Sequence, residues 1–185
     1  MENKVISVKI LAAAAVGAVL MYLLNHFATI PTSVAGTNFM PGMAVLAAVA
    51  AIFGPAAGFL AGFIGHFLVD LTGDFGRIWW SYVIASALFG LAVGYFRKMY
   101  RIEEGRFGVK EALIFNGVQA IANILAYFFI ARTLSMIMFK ESFGTITMMG
   151  IVAAGINIPV ILVLGTLLII VYIKFKNRSG KAKGK

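Results

Sequence analysis

Long apolar runs dominate this chain, and its polar residues either cluster between the runs or recur at helical spacing inside them. A membrane-spanning helix needs roughly 20 apolar residues, and 5–28 is such a run. The next segment, 29–41, holds Pro31, Gly36, Asn38 and Pro41, a helix-breaking composition that predicts a loop. Residues 42–53 are apolar again but reach only about 18 Å as a helix. This second helix has two readings: it extends back into the loop, or it pairs with the third helix as a re-entrant hairpin. Gly54-Pro55 breaks the pattern, and 56–71, 80–96, 109 to about 138, and 146–175 predict four more helices. The expected architecture is an all-α integral membrane protein, one six-transmembrane-helix bundle over 1–180, followed by a disordered basic tail at 181–185.

Charge orients this bundle. Lys4 and Lys9, the cluster at 97–110 and the tail from Lys174 onward carry most of the basic residues. Six spans put all three on one face, and the positive-inside rule makes it cytoplasmic, with both termini there. A five-helix count splits the basic segments between the two sides. The outer segments are then 29–41, 72–77 and 132–145. The charge is not a nucleic-acid footprint, because it sits in short segments next to apolar runs.

Composition agrees. The chain is 61% hydrophobic and 12% charged, with mean hydropathy +0.95, whereas soluble domains are about a quarter charged. Cysteine is absent, which excludes disulfides and Cys-based metal sites. The first apolar run has no cleavage-site pattern and reads as a spanning helix, not a signal peptide.

Polar residues inside the apolar runs mark candidate chemistry. His66 and Asp70 stand one helical turn apart, and Trp79-Trp80 follows where a helix meets the headgroups. Intramembrane ionisable groups usually face a cavity, a partner or a substrate path. The fifth helix carries Asn116, Gln119, Asn123 and Tyr127 on one face. The sixth has Asn157 two residues before Pro159, and the first ends with Tyr22, Asn25 and His26. With residue 109 on the inner side, Asn123 and Asn157 fall near mid-membrane and Tyr127, His66 and Asp70 in the outer half, so the polar groups converge on the outer half of the bundle. Single amides commonly act as interhelical glue at about 0.6 kcal/mol each; four aligned on one face and opposed to a His/Asp pair favour a solvated cavity. His66 and Asp70 also suit a helix-stabilising i, i+4 pair, and the tryptophans suit plain interface anchors. Small residues form a second pattern: Ala14 and Ala18 in the alanine-rich first helix, Gly54, Gly58, Gly62 and Gly65 in the third, Gly90 and Gly94 in the fourth. Such spacing lets backbones approach closely. The first helix has more small residues than one internal contact needs, which points to a partner surface.

Catalysis finds no support. There is no HExxH motif, no GxSxG elbow, no nucleotide-binding loop and no nucleophile matched to His66. Two histidines are too few for a nickel or cobalt site. An outward polar pocket without an energy source suggests a binding subunit. Two other classes stand beside it: a stand-alone proton-coupled carrier with His66 and Asp70 as relay, and a structural membrane-assembly protein.

Three segments carry a resemblance: IPT at 30–32, FGPAAGFLAGFIGHFLVD at 53–70, and WW at 79–80 followed by SALFGLAVGY. On them the chain resembles the substrate-binding S components of energy-coupling factor (ECF) transporters, within the uncharacterised group that carries the riboflavin-type name. The resemblance implies a six-helix protein of the bacterial plasma membrane that captures a vitamin-like molecule from outside. It implies as partners an EcfT-type transmembrane coupling protein and two ATPases that use the ATP, with no cofactor in this chain. It places the docking surface on Ala14 and Ala18, and the ligand near Asn38, Phe39, Trp79, Trp80, Asn123, Tyr127 and Asn157. Gln119, His66 and Asp70 join that set from their position alone. It also implies that the subunit tips over in the membrane, which an uncharged first outer loop favours. Aromatic stacking with amide hydrogen bonds suits a planar heterocycle of riboflavin, pyridoxine or hydroxymethylpyrimidine type. Arg77, Arg132 and Lys140 in the outer segments leave an anionic ligand open.

Overall fold

The computed structural model describes residues 7–34, 37–73 and 76–182. Lys4 and Gly36 lie outside them. Six helices follow in order: α1 (Val8–Phe27), α2 (Gly42–Phe53), α3 (Pro55–Thr72), α4 (Trp80–Tyr95), α5 (Val109–Phe139) and α6 (Phe143–Ser179). By length and hydropathy α1, α3, α5 and α6 are each able to cross a membrane, while α2 and α4 are shorter apolar helices. The helical path of α6 runs on to Ala182. Lys181 of the expected tail is thus helical, and 183–185 lie outside the described residues.

Residues predicted as the first loop form a small hairpin, β1 (Ile30–Pro31) paired antiparallel with β2 (Asn38–Phe39), with Ile30 opposite Phe39 and Pro31 opposite Asn38. Thr29 Oγ1 donates to the Phe39 carbonyl at 2.9 Å, and the Thr32 amide donates to the Thr37 carbonyl at 3.2 Å. Side-chain hydroxyls satisfy backbone groups here, which ties the two strands to each other.

α2 is the central rod. Its sequence, GMAVLAAVAAIF, is apolar all round, the pattern of a helix surrounded by protein. Nine of its residues are buried, against α1, α3 and α4 on one side and α6 on the other. It does not extend into the loop: Pro41 is its N-cap, and the Gly42 amide donates to Asn25 Oδ1 at 2.7 Å. Asn25 is therefore glue between α1 and α2. Gly54, at φ 97°, ends α2 and caps α3, and Pro55 supplies the preset first residue of α3.

Glycine sets how closely α3 meets α4. A Cβ on Gly58 would collide with the Gly90 carbonyl, one on Gly90 with the Gly58 carbonyl, and one on Gly62 with the Ser86 carbonyl. α1 meets α3 in the same way, and this corrects the docking surface expected on Ala14 and Ala18. Both are buried, at 2% and 1% exposure, and a Cβ on Gly65 would lie 3.2 Å from the Ala18 carbonyl. Ala14, Gly17 and Ala18 are consumed by internal helix contacts. Its outward face carries Ala12, Ala15, Val16 and Val19 instead. Ala18→Leu is expected to lower the melting temperature in detergent by several degrees, through overpacking of about 1–3 kcal/mol. Ala15→Leu is expected to leave it unchanged, and equal melting of the two variants would refute this orientation of α1.

Both long helices contain a wide π turn, Ile124–Ala131 in α5 and Ile161–Gly165 in α6 just after Pro159. Such turns occur often at functional sites. At the opposite end, two short 3₁₀ turns, Arg97–Tyr100 and Ile102–Glu104, close the bundle. Lys176 Nζ on α6 donates to the Ile102 and Glu103 carbonyls at 3.1 and 2.7 Å.

Candidate functional site

Beneath the β1–β2 hairpin lies a cavity to which six segments contribute. Thr37, Asn38 and Met40 come from the hairpin side, Met43 from α2, and His66 and Asp70 from α3. Trp79 and Tyr82 come from the start of α4, Tyr127 from the wide turn of α5, and Ala153 and Asn157 from α6.

A buried polar chain runs through its wall. His66 Nδ1 and Ser86 Oγ are 2.6 Å apart, and Ser86 Oγ and Tyr127 OH are 2.7 Å apart. Tyr127 OH reaches Met43 Sδ at 3.4 Å. On the other side of the imidazole, Nε2 stands 3.7 Å from Asp70 Oδ1, the i, i+4 geometry that the spacing predicts. Asp70 Oδ2 accepts the Trp79 backbone N–H at 2.8 Å, so the carboxylate fixes the entry into α4. Ser86→Ala breaks this chain at its centre, strands the His66 ring nitrogen and leaves Tyr127 OH only the weak Met43 Sδ contact, at about 1–3 kcal/mol. The expected result is a drop in detergent melting temperature, which Ser86→Thr recovers in part.

Aromatic rings complete the site. Tyr82 is their hub, with centroids 6.1 Å from Trp79, 6.2 Å from Tyr127 and 6.4 Å from His66. Trp79 meets Phe139 edge-on at 5.3 Å, and the Arg77 guanidinium lies 4.2 Å from the Trp79 ring centre. Arg77 also pairs with Glu141, which ties the α3–α4 connection to the α5–α6 connection.

Of the residues expected at the ligand, Asn38, His66, Asp70, Trp79, Tyr127 and Asn157 meet at this cavity. Four others lie elsewhere. Trp80 is 37% exposed and stacks on Phe67 at 5.6 Å, on the outside of the bundle. Phe39 lines an apolar surface groove along α6, with Ile156, Pro159 and Val163. Gln119 is buried and donates to the Ile158 carbonyl at 3.2 Å, while Asn116 donates to Thr166 Oγ1 at 3.0 Å; both fasten α5 to α6. Asn123 is 0% exposed, outside the cavity lining, and has no hydrogen-bond partner for either side-chain amide atom. Sequence reasoning missed Thr37, Met40, Met43, Tyr82 and Ala153. The available signal was on α4, where Tyr82 and Ser86 fall at i, i+4 in an otherwise apolar stretch.

The free volume of the cavity is about 40 Å³. One buried water takes roughly 10–15 Å³ on this measure, so the cavity holds about three waters. Small-molecule sites run to roughly 300–1,000 Å³. Binding a vitamin-sized molecule therefore requires the lining to move outward. Among the described residues no group of three or more His, Asp or Glu is placed to hold a metal ion.

Residues 5–174 match the family described as ECF-type riboflavin transporter, S component. The chain belongs to this family. Its relatives include the UPF0397 protein of Lacticaseibacillus casei (strain BL23), 36% identical over 98% of this chain and 97% of the relative. The UPF0397 protein of Clostridium perfringens (strain ATCC 13124) is 36% identical over 99% and 98%, and the UPF0397 protein SAR2767 of Staphylococcus aureus (strain MRSA252) is 36% identical over 99% and 99%. No solved structure matches the chain. As an S component it is a membrane transporter subunit, in agreement with its all-α apolar fold, and its family is not one of enzymes.

Proposed function

We propose that this S component captures a small, flat, vitamin-like heterocycle at the outer face of the bacterial plasma membrane. All six helices span in this reading, with both termini cytoplasmic. An EcfT-type coupling protein and two ATPases drive delivery, and the outward strip of α1 around Ala12 and Ala15 is the surface left for docking. One observation carries the reading: polar and aromatic side chains from five separate segments converge on a single cavity under the hairpin. Helix glue needs only pairwise contacts, as Asn116 and Gln119 show, whereas convergence on a shared space suits a ligand. Riboflavin, named in the family description, belongs to the ligand class that fits, together with pyridoxine and hydroxymethylpyrimidine.

The decisive experiment is mass spectrometry of small molecules released from the purified protein, followed by binding of the candidates. One tightly bound heterocycle is expected. A well-folded protein that neither carries nor binds any molecule of this class would overturn the reading and leave a structural role. Uptake into liposomes by this chain alone, driven by a pH gradient, would instead establish the proton-coupled carrier.

A further inference from the structure

The charge pattern of the cavity narrows the ligand further than its size does. Among the described residues its lining contains one carboxylate, Asp70, and no lysine or arginine. Cations of the outer end are committed elsewhere. Arg77 lies against Trp79 and Phe139, at 4.2 and 4.6 Å from the ring centres, and pairs with Glu141. Arg132 packs over Phe128 and Phe143 at 4.9 and 5.3 Å. Lys140 is not part of the lining.

Asp70 is buried, and its two oxygens differ. Oδ2 accepts the Trp79 N–H; Oδ1 has His66 Nε2 as its near neighbour at 3.7 Å, too long for a hydrogen bond. Tyr82 OH, in the same lining, is buried with no hydrogen-bond partner among the described residues. Among the described residues the cavity thus presents a carboxylate oxygen that lacks a full donor and a hydroxyl that lacks a partner. A buried anion next to them would be desolvated beside a like charge with no cation to compensate. A ring N–H or amino group would supply the missing donor.

We infer that Asp70 makes this site select uncharged or cationic heterocycles bearing an N–H or amino donor, and reject their phosphorylated forms. The assignment rests on the ligand-binding reading above.

The test is equilibrium binding to the full chain in nanodiscs, by calorimetry, of matched pairs: riboflavin and its 5′-phosphate, pyridoxine and its phosphate, hydroxymethylpyrimidine and its phosphate. Whichever parent binds, its phosphate is expected to bind about 100-fold more weakly. Asp70→Asn keeps an oxygen for the Trp79 N–H, and is expected to narrow that ratio about tenfold. A phosphate ester that binds as well as its parent, or a folded Asp70→Asn variant with an unchanged ratio, overturns the inference while leaving a vitamin-binding subunit in place. The wild-type pairs decide even where the variant does not fold. Failure of every parent and every phosphate to bind a folded protein overturns the binding reading, and this inference with it.

Discussion

Trp79→Ala is expected to weaken ligand binding by about 100-fold or more, while Trp80→Ala changes it less than about threefold. The two residues are adjacent in sequence but face different media. Trp79 lines the cavity, with its backbone N–H held by Asp70 at 2.8 Å and its ring between Tyr82, Phe139 and Arg77. Truncation of a packed tryptophan removes about 3–5 kcal/mol of contact, and about 1.4 kcal/mol corresponds to tenfold in affinity. Here the loss also frees Arg77 and opens the wall between the hairpin and α4. Trp80 stacks on Phe67 at 5.6 Å on the outer surface, and its loss touches no cavity atom. Equilibrium binding of the identified ligand to both variants is the measurement. Equal losses would show that the tryptophan pair acts as one interface anchor and not as a wall and an anchor.

Gly90→Val is expected to abolish the folded monomer, or to lower its stability by at least ~3 kcal/mol. A Cβ at this position meets the Gly58 carbonyl, its carbon and its Cα together. Backbone on a facing helix cannot rotate away as a side chain does, so α3 and α4 must separate. Separation moves Ser86 from His66 and Trp79 from Asp70, since both bonds cross the same interface. Gly117→Val is the control: a Cβ there meets nothing within 4 Å. Size-exclusion profiles and detergent melting curves should show loss for the first variant and little change for the second. A Gly90→Val protein with wild-type melting would contradict the observed α3–α4 contact.

The candidate site was legible in parts, and the parts that failed share a cause. Asn116, Gln119, Asn123 and Tyr127 sit on one face of α5, as their spacing requires. Helical periodicity gives direction but not depth or company. Tyr127 reaches the cavity in the wide turn, whereas Gln119 finds the Ile158 carbonyl on α6 and Asn116 finds Thr166. Tyr82 escaped notice because an aromatic residue in an apolar run looks the same whether it packs, anchors or lines a pocket. In the sequence the hairpin of 30–31 with 38–39 looks like loop because its strands are too short to show a period.

Hydrophobicity, charge placement and the FGPAAGFLAGFIGHFLVD segment determined by themselves that this chain is a helical membrane protein of the S-component family, with its ionisable pair one turn apart on α3. Tertiary structure alone decided which way each helix faces. In a bilayer the lipid-facing and core-facing surfaces are equally apolar, so the hydrophobic pattern carries little information about orientation. That is why Ala14 and Ala18 turned out to be internal, and why α2, not the longest helix, occupies the centre. It is also why a cavity whose described lining holds one carboxylate and no lysine or arginine became visible only after six separate segments were brought to one place.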